Sequence, residues 1–177
     1  TQNLKDIYPG DEEFVKIKAR FLGKEGDLKV AKANLSYIPK NITARYESNT
    51  TFTTKIETVP LTLDFDLPSK AEKGKEIQYS INYFSNVDYP LENLSIKIDP
   101  VNGFTFETSN PSSLDNSEWK LKTLNKAQGG RINIKGRITA DAGAHLNFTA
   151  KLGMRIAGSF VEIKNANIEV EVIEPLL

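Results

Sequence analysis

Apolar and polar residues alternate along most of this chain with a period of two, the spacing that puts them on opposite faces of an extended strand. In residues 77–83, Ile77, Tyr79, Ile81 and Tyr83 share one face, while Gln78, Ser80 and Asn82 share the other. The same spacing runs through 94–98, 132–138 and 168–172, and in the first third through 15–21. One-sided strands predict antiparallel sheets with one wet face. Turn chemistry separates the runs at Lys73-Gly74, Asn102-Gly103, Gly129-Gly130, Lys24-Glu25-Gly26-Asp27 and Asp88-Tyr89-Pro90. No window carries an apolar stripe over three helical turns, although residues 111–118 are expected to hold one short helical turn. Short strands with regular turns predict an all-β chain, an immunoglobulin-like antiparallel β-sandwich.

The chain also resembles itself. Sliding it so that residue 15 meets residue 132 lays Val15-Lys16-Ile17-Lys18-Ala19-Arg20-Phe21 on Ile132-Asn133-Ile134-Lys135-Gly136-Arg137-Ile138. Gly26 then meets Gly143, Ala33 meets Ala150 and Leu35 meets Leu152; a small slip brings Pro60-Leu61 onto Pro175-Leu176. A period of this length is the size of one sandwich domain. Tandem repeats are therefore expected: residues 1–58 as the C-terminal half of one repeat and 60–177 as a complete one. On this reading the chain begins in mid-repeat and stops where a following repeat would open. Half a sandwich cannot bury its apolar face alone, so residues 1–58 are expected to find strands from elsewhere.

Residues 60–177 resemble the tandem immunoglobulin-like repeats of large bacterial and archaeal surface proteins, the domain-of-unknown-function-11 type. The resemblance is carried by Gly74-Lys75-Glu76-Ile77-Gln78-Tyr79-Ser80-Ile81-Asn82-Tyr83, Ser85-Asn86, Tyr89-Pro90-Leu91-Glu92-Asn93-Leu94 and Gly103-Phe104-Thr105-Phe106. It continues through Trp119-Lys120-Leu121, Thr123-Leu124, and Gly129-Gly130 leading into Ile132-Asn133-Ile134. Lys126-Ala127-Gln128-Gly129-Gly130 departs from the Pro-Gly-Glu-like turn common in such repeats. The resemblance implies an extracellular or cell-surface stalk, envelope or adhesin component and carries over no catalytic residue, since motifs of this kind specify fold rather than chemistry.

Composition narrows the chemistry. Lys plus Arg and Asp plus Glu both number 23, so nothing in the charge balance calls for nucleic acid. The chain has no cysteine, which excludes disulfides, zinc-thiolate sites and thiol nucleophiles. No apolar run is long enough to span a membrane. There are five N-x-Ser/Thr triplets, at Asn34, Asn41, Asn49, Asn93 and Asn147, where fifteen asparagines would give about two at ordinary Ser and Thr frequencies. These are candidate glycosylation sites and favour the cell exterior, although strand faces rich in Asn, Ser and Thr generate such triplets by themselves.

Other candidates each have a structural counterpart. His145, the one histidine, sits in Gly143-Ala144-His145-Leu146-Asn147 and reads as a hairpin-tip residue rather than a triad member. The pairs in Asp64-Phe65-Asp66 and Asp11-Glu12-Glu13 read as solvated carboxylates. The sharper alternative is Ca2+ held between repeats by Asp64, Asp66, Asp88 or Asp99, although no known calcium-loop spacing is present. Gly129-Gly130 joins strands and opens no phosphate-binding helix. Tyr79, Tyr83 and Phe104 read as core, and Trp119 as a plug at one end of the sandwich. Tyr8, Phe84, Tyr89 and Trp119 could instead stack on a carbohydrate, with Tyr89 and Trp119 the candidate ligand-facing aromatics. No catalytic, cofactor-binding or resident metal residue is assigned. The sequence thus predicts a non-catalytic spacer whose partners are neighbouring repeats or other copies. The alternatives are an adhesion or glycan-binding module using loops 85–90 and 109–118, or an accessory domain of a secreted enzyme.

Overall fold

The computed structural model describes residues 1–175. It contains eleven strands and no helix among the described residues: β1 Leu28–Tyr37, β2 Tyr46–Lys55, β3 Leu61–Asp66, β4 Lys70–Glu72, β5 Glu76–Ser85, β6 Leu94–Ile98, β7 Phe104–Asn110, β8 Glu118–Lys120, β9 Gln128–Ile138, β10 His145–Ile156 and β11 Ser159–Ile173. From residue 59 onward two sheets pack face to face as an immunoglobulin-like β-sandwich. One has the order β3-β5-β9-β7 and the other β4-β11-β10-β6-β8. Pairing is antiparallel throughout, except that β4 runs parallel to β11.

Alternation puts the core where the sequence places it. Leu61 and Leu63 on β3, Ile77, Tyr79 and Ile81 on β5, and Ile132, Ile134 and Ile138 on β9 are buried. They face Leu94 and Ile96 on β6, Leu146, Phe148, Ala150 and Leu152 on β10, and Val170 and Val172 on β11. Each fully buried aliphatic side chain contributes about 1.5–3 kcal/mol. Tyr79, Phe104 and Phe148 meet edge to face at 5.3–5.9 Å, which adds directional contacts to that burial. The outward face of the first sheet is a polar ladder. Lys135 pairs with Glu76 at 2.9 Å and Arg137 with Glu107 at 3.4 Å, while Ser80 donates to Asn133.

The first 58 residues form no sandwich. β1 and β2 make an isolated two-stranded hairpin, closed at its base by Gly26 N–H to the Ile56 carbonyl (2.8 Å) and Ile56 N–H to the Asp27 carbonyl (2.9 Å). Residues 15–21, expected as a strand, are irregular and mostly exposed. Alternation only offers a strand its faces; pairing makes it one. The equivalent stretch 132–138 is flanked on both sides by β5 and β7, whereas 15–21 has no such neighbours.

Two further expectations are corrected. Residues 111–117 are loop, leading into β8 without a helical turn. Short polar side chains capture its backbone, with the Asn116 amide donating to Ser113 Oγ and the Ser117 amide to Asp115 Oδ1. Gly129 and Gly130 lie inside β9, and the turn falls at residues 126–127 with Ala127 at φ 59°. The glycines are there for space: a Cβ on Gly130 would lie 2.3 Å from the Tyr83 hydroxyl, and one on Gly129 2.3 Å from the Tyr83 carbonyl oxygen. Gly136 is tighter still in consequence, because its Cβ would meet the Phe104 ring at 2.3 Å and the Thr105 carbonyl at 2.4 Å. Gly136→Val is expected to cost about 1–3 kcal/mol by overpacking; an unchanged thermal midpoint would contradict this packing.

The Pro175-Leu176 half of the repeat correspondence runs into Leu176, which lies outside the described residues, as does Leu177.

Candidate functional site

The sequence candidates are dispersed. His145 opens β10, is exposed, and its Nδ1 lies 2.8 Å from Glu169 Oε1 on the neighbouring strand. Asp64 accepts from Asn82 at 3.0 Å, and Asp66 sits 3.8 Å from Arg131 on the same outward face. Asp88 pairs with Lys126, and Asp99 takes Lys151 at 2.6 and 2.8 Å. The four calcium candidates therefore face separate cationic or amide partners, and no cluster of three ligating side chains forms among the described residues. Asp11, Glu12 and Glu13 are exposed in the irregular N-terminal segment. Asn34, Asn41, Asn49, Asn93 and Asn147 are all exposed. Asn34 and Asn49 stand directly opposite each other on the hairpin.

The aromatic pair is corrected most clearly. Trp119 is 1 % exposed and offers no face to a ligand. It packs on Phe106, and its indole N–H donates to Ser109 Oγ (3.1 Å) and the Pro111 carbonyl (3.0 Å). The reason is topological. β8 and β7 are edge strands of the two sheets, and Trp119 closes the gap between them. Tyr89 is half-buried, with the Arg20 guanidinium 3.9 Å above its ring, so one face is already occupied by the chain itself.

Beside Trp119 the structure opens a cleft of about 270 Å³, part of whose rim lies in the 109–118 loop that the sequence offers to a ligand. Its floor is Phe65, Tyr79, Phe104, Phe106 and Phe148; its rim includes Asp99, Asp115, Asn116 and Ser117. The Ser117 hydroxyl and amide hold the Asp115 carboxyl below its usual range, so the rim is anionic at neutral pH. The signal lay in half-buried Phe104 and Phe106 at one end of the edge strand β7, but only the pairing order reveals that β7 is an edge.

On the outer face of the second sheet, Glu118 is 4 % exposed and held by Arg155 through two bonds, Nε to Oε1 at 3.0 Å and Nη2 to Oε2 at 2.5 Å. Lys97 stands 3.4 Å away. This is a structural ion pair in form: bidentate, buried on one side and ringed by strand residues.

The third feature is the β1–β2 hairpin. Among the described residues, fifteen of the eighteen exposed large apolar side chains precede residue 57. Ala31, Ala33, Leu35 and Tyr37 on β1 share one face with Tyr46 and Phe52 on β2, through pairs such as Ala31↔Phe52 and Tyr37↔Tyr46. Phe52 is 68 % exposed. The opposite face carries Lys32, Asn34, Asn49 and Thr51, with Leu28 and Val30 exposed on it near the base of the hairpin. At the sequence offset noted above, this apolar face matches the core-facing side of β10–β11. Ala31↔Phe52 falls on Phe148↔Ile168, Ala33↔Thr50 on Ala150↔Ala166, and Leu35↔Ser48 on Leu152↔Lys164. Register and face agree, with the second strand slipped by one residue, while β10 and β11 are the longer strands (12 and 15 residues against 10 and 10).

No protein-family model and no curated protein matches the chain. Solved structures match in fold. AvmM, which catalyses macrocyclization in alchivemycin A biosynthesis, is 11 % identical, with a TM-score of 0.50 over 68 % of this chain and 92 % of its own. The CARDB domain of a Pyrococcus furiosus protein is 13 % identical, with a TM-score of 0.45 over 64 % of this chain and 94 % of its own. A cohesin module of a family 33 glycoside hydrolase from Clostridium perfringens is 5 % identical, with a TM-score of 0.43 over 67 % of this chain and all of its own. At these identities the likeness is one of fold alone. No helix among the described residues is long and apolar enough to cross a membrane.

Proposed function

We propose that this chain is a non-catalytic structural segment of a larger cell-surface or secreted protein built from tandem sandwich repeats. The observation that carries the reading is the match between β1–β2 and β10–β11 in register and apolar face. Two such hairpins in one chain, one completed as a sandwich and one not, fit a linear array in which each repeat contacts its neighbours. Lys24 with Glu162 at 3.1 Å, and Arg20 over Tyr89, join the first unit to the sandwich and suit a spacer that holds a fixed reach. Exposed sequon asparagines on both units support an extracellular setting. Intact-mass measurement and peptide mapping of the natural protein test this. Repeat-containing peptides on both sides of these residues, with glycan-shifted peptides at Asn34 or Asn49, are the expected result; a natural product of 19.7 kDa would overturn it.

A second reading, an adhesion or ligand-binding module, is favoured by the aromatic cleft. Because Phe106 both lines the cleft and touches Trp119, a bound glycan or peptide would shift Trp119 emission. A spectrum unmoved by millimolar ligand would count against it.

A further inference from the structure

The apolar face of the β1–β2 hairpin needs a cover. A two-stranded hairpin in water is marginal by itself, and this one exposes Leu35, Tyr37, Tyr46 and Phe52 together. In the complete sandwich the matching face of β10–β11 is covered by the sheet β3-β5-β9-β7, and the free edge of β10 is paired with β6. The first unit already holds counterparts of three of these strands: residues 15–21 for β9, β1 for β10 and β2 for β11. What has no counterpart in 1–58 is the set β3 to β8, residues 61–120.

We infer that the occupant of this face is a strand set of the β3–β8 kind, carried on the same polypeptide ahead of residues 14–21. This inference rests on the tandem-repeat reading and names the partner. Residues 15–21 become the central strand of the covering sheet once neighbours flank them, and Val15, Ile17 and Phe21 turn inward as Ile132, Ile134 and Ile138 do. The position of Gly136 is taken in that register by Ala19, whose Cβ keeps a covering aromatic ring farther out than Phe104 lies over Gly136. A β6-like strand pairs with the open edge of β1. The face is apolar and self-complementary to this fold, and the polar face with Asn34 and Asn49 stays outside.

The test uses the chain's own repeat as the donor. Residues 59–131 are joined directly to residue 15, so that the register of the complete sandwich is restored, and hydrogen exchange of amides 28–55 is compared with that in the unaltered chain. Protection rising by at least ~100-fold, toward that of β10–β11, is expected. Phe52→Asp abolishes that gain in the joined chain while leaving the melting of 59–175 unchanged in both. Amides 28–55 that stay fast-exchanging in the joined chain, with 59–175 intact, overturn the inference. So does an unaltered chain that already protects 28–55 as a concentration-dependent dimer, which would make a second copy the occupant. Neither failure touches the mass and peptide map of the natural protein, so the spacer reading stands or falls separately.

Discussion

Phe148→Ala is expected to lower stability by about 3–5 kcal/mol. Phe148 is 2 % exposed and lies 5.4 Å from the Tyr79 ring and 5.3 Å from the Phe104 ring. Removing it deletes the ring that bridges the two sheets and leaves a void that opens toward the aromatic cleft. β10 and β5, which carry Phe148 and Tyr79, are paired on both sides and have little room to collapse, which places the cost high in the usual range. Urea unfolding followed by Trp119 fluorescence measures it, since Trp119 reports on the same sandwich from outside the three-ring cluster. The companion is Phe52→Ala. Phe52 is exposed in the hairpin, so the same chemical truncation is expected to move the sandwich transition by less than about 0.5 kcal/mol. Equal shifts in the two variants would refute the division of the chain into a packed unit and an uncovered one.

Acidification is expected to remove a second large contribution through Glu118. Arg155's hydrogen bonds, aided by Ser95 and Lys97 and opposed by burial, draw the Glu118 carboxyl from its ordinary 4.5 down to about 2. A carboxyl with a folded-state pKa depressed in this way contributes stability that is complete above about pH 4.5. That contribution is lost as the pH falls through about 2. Solvent reaches the Arg155 side of the pair, so the contribution is about 2–3 kcal/mol. Arg155→Ala removes the leading cause and leaves a buried carboxylate with only Ser95 and Lys97 beside it. Its stability is expected to be lower at pH 6, yet flatter than that of the parent between pH 4.5 and pH 2. Denaturant midpoints at pH 6 and pH 3 check this. A parent and a variant that lose equal stability between those two values would exclude Glu118 as the titrating group.

The strands of the complete sandwich were legible because each has one dry face. Ile77 to Tyr83 and Ile132 to Ile138 alternate cleanly, and both are central strands. Residues 15–21 carry the same alternation and are not a strand, because periodicity reports which face would be buried and says nothing about whether a neighbour is present. β1 and β2 were harder to read for the opposite reason. Their polar face is rich in Thr, Asn and Lys, so only the match of Ala33 and Leu35 to Ala150 and Leu152 tied this stretch to the second half of the chain. Gly129-Gly130 looked like a turn because glycine in a strand is unusual; the reason for it, the Tyr83 carbonyl and Phe84 against Gly129 and the Tyr83 ring against Gly130, is a long-range contact. Trp119 and Phe106 come together from two different sheets, and neither that meeting nor the cleft beside it leaves a local signature. The Glu118–Arg155 pair is separated by 37 residues and has none either.

The parallel pairing of β4 with β11 gives the sandwich a mechanical character. β4 is close to the point where the chain enters the fold and β11 is where it leaves. They lie side by side and point the same way, joined by Glu171 N–H to the Ser69 carbonyl at 2.9 Å and Lys73 N–H to the Ile173 carbonyl at 3.0 Å. Tension applied along the polypeptide meets β3 on β5 first; once it passes to β4, the start of β4 and the end of β11 are pulled in opposite directions, so those bonds are loaded together, in shear, instead of being opened one after another from an end. A short ladder can then resist a stretching force out of proportion to its number of bonds, and a chain of such units would bear load as a series of latches.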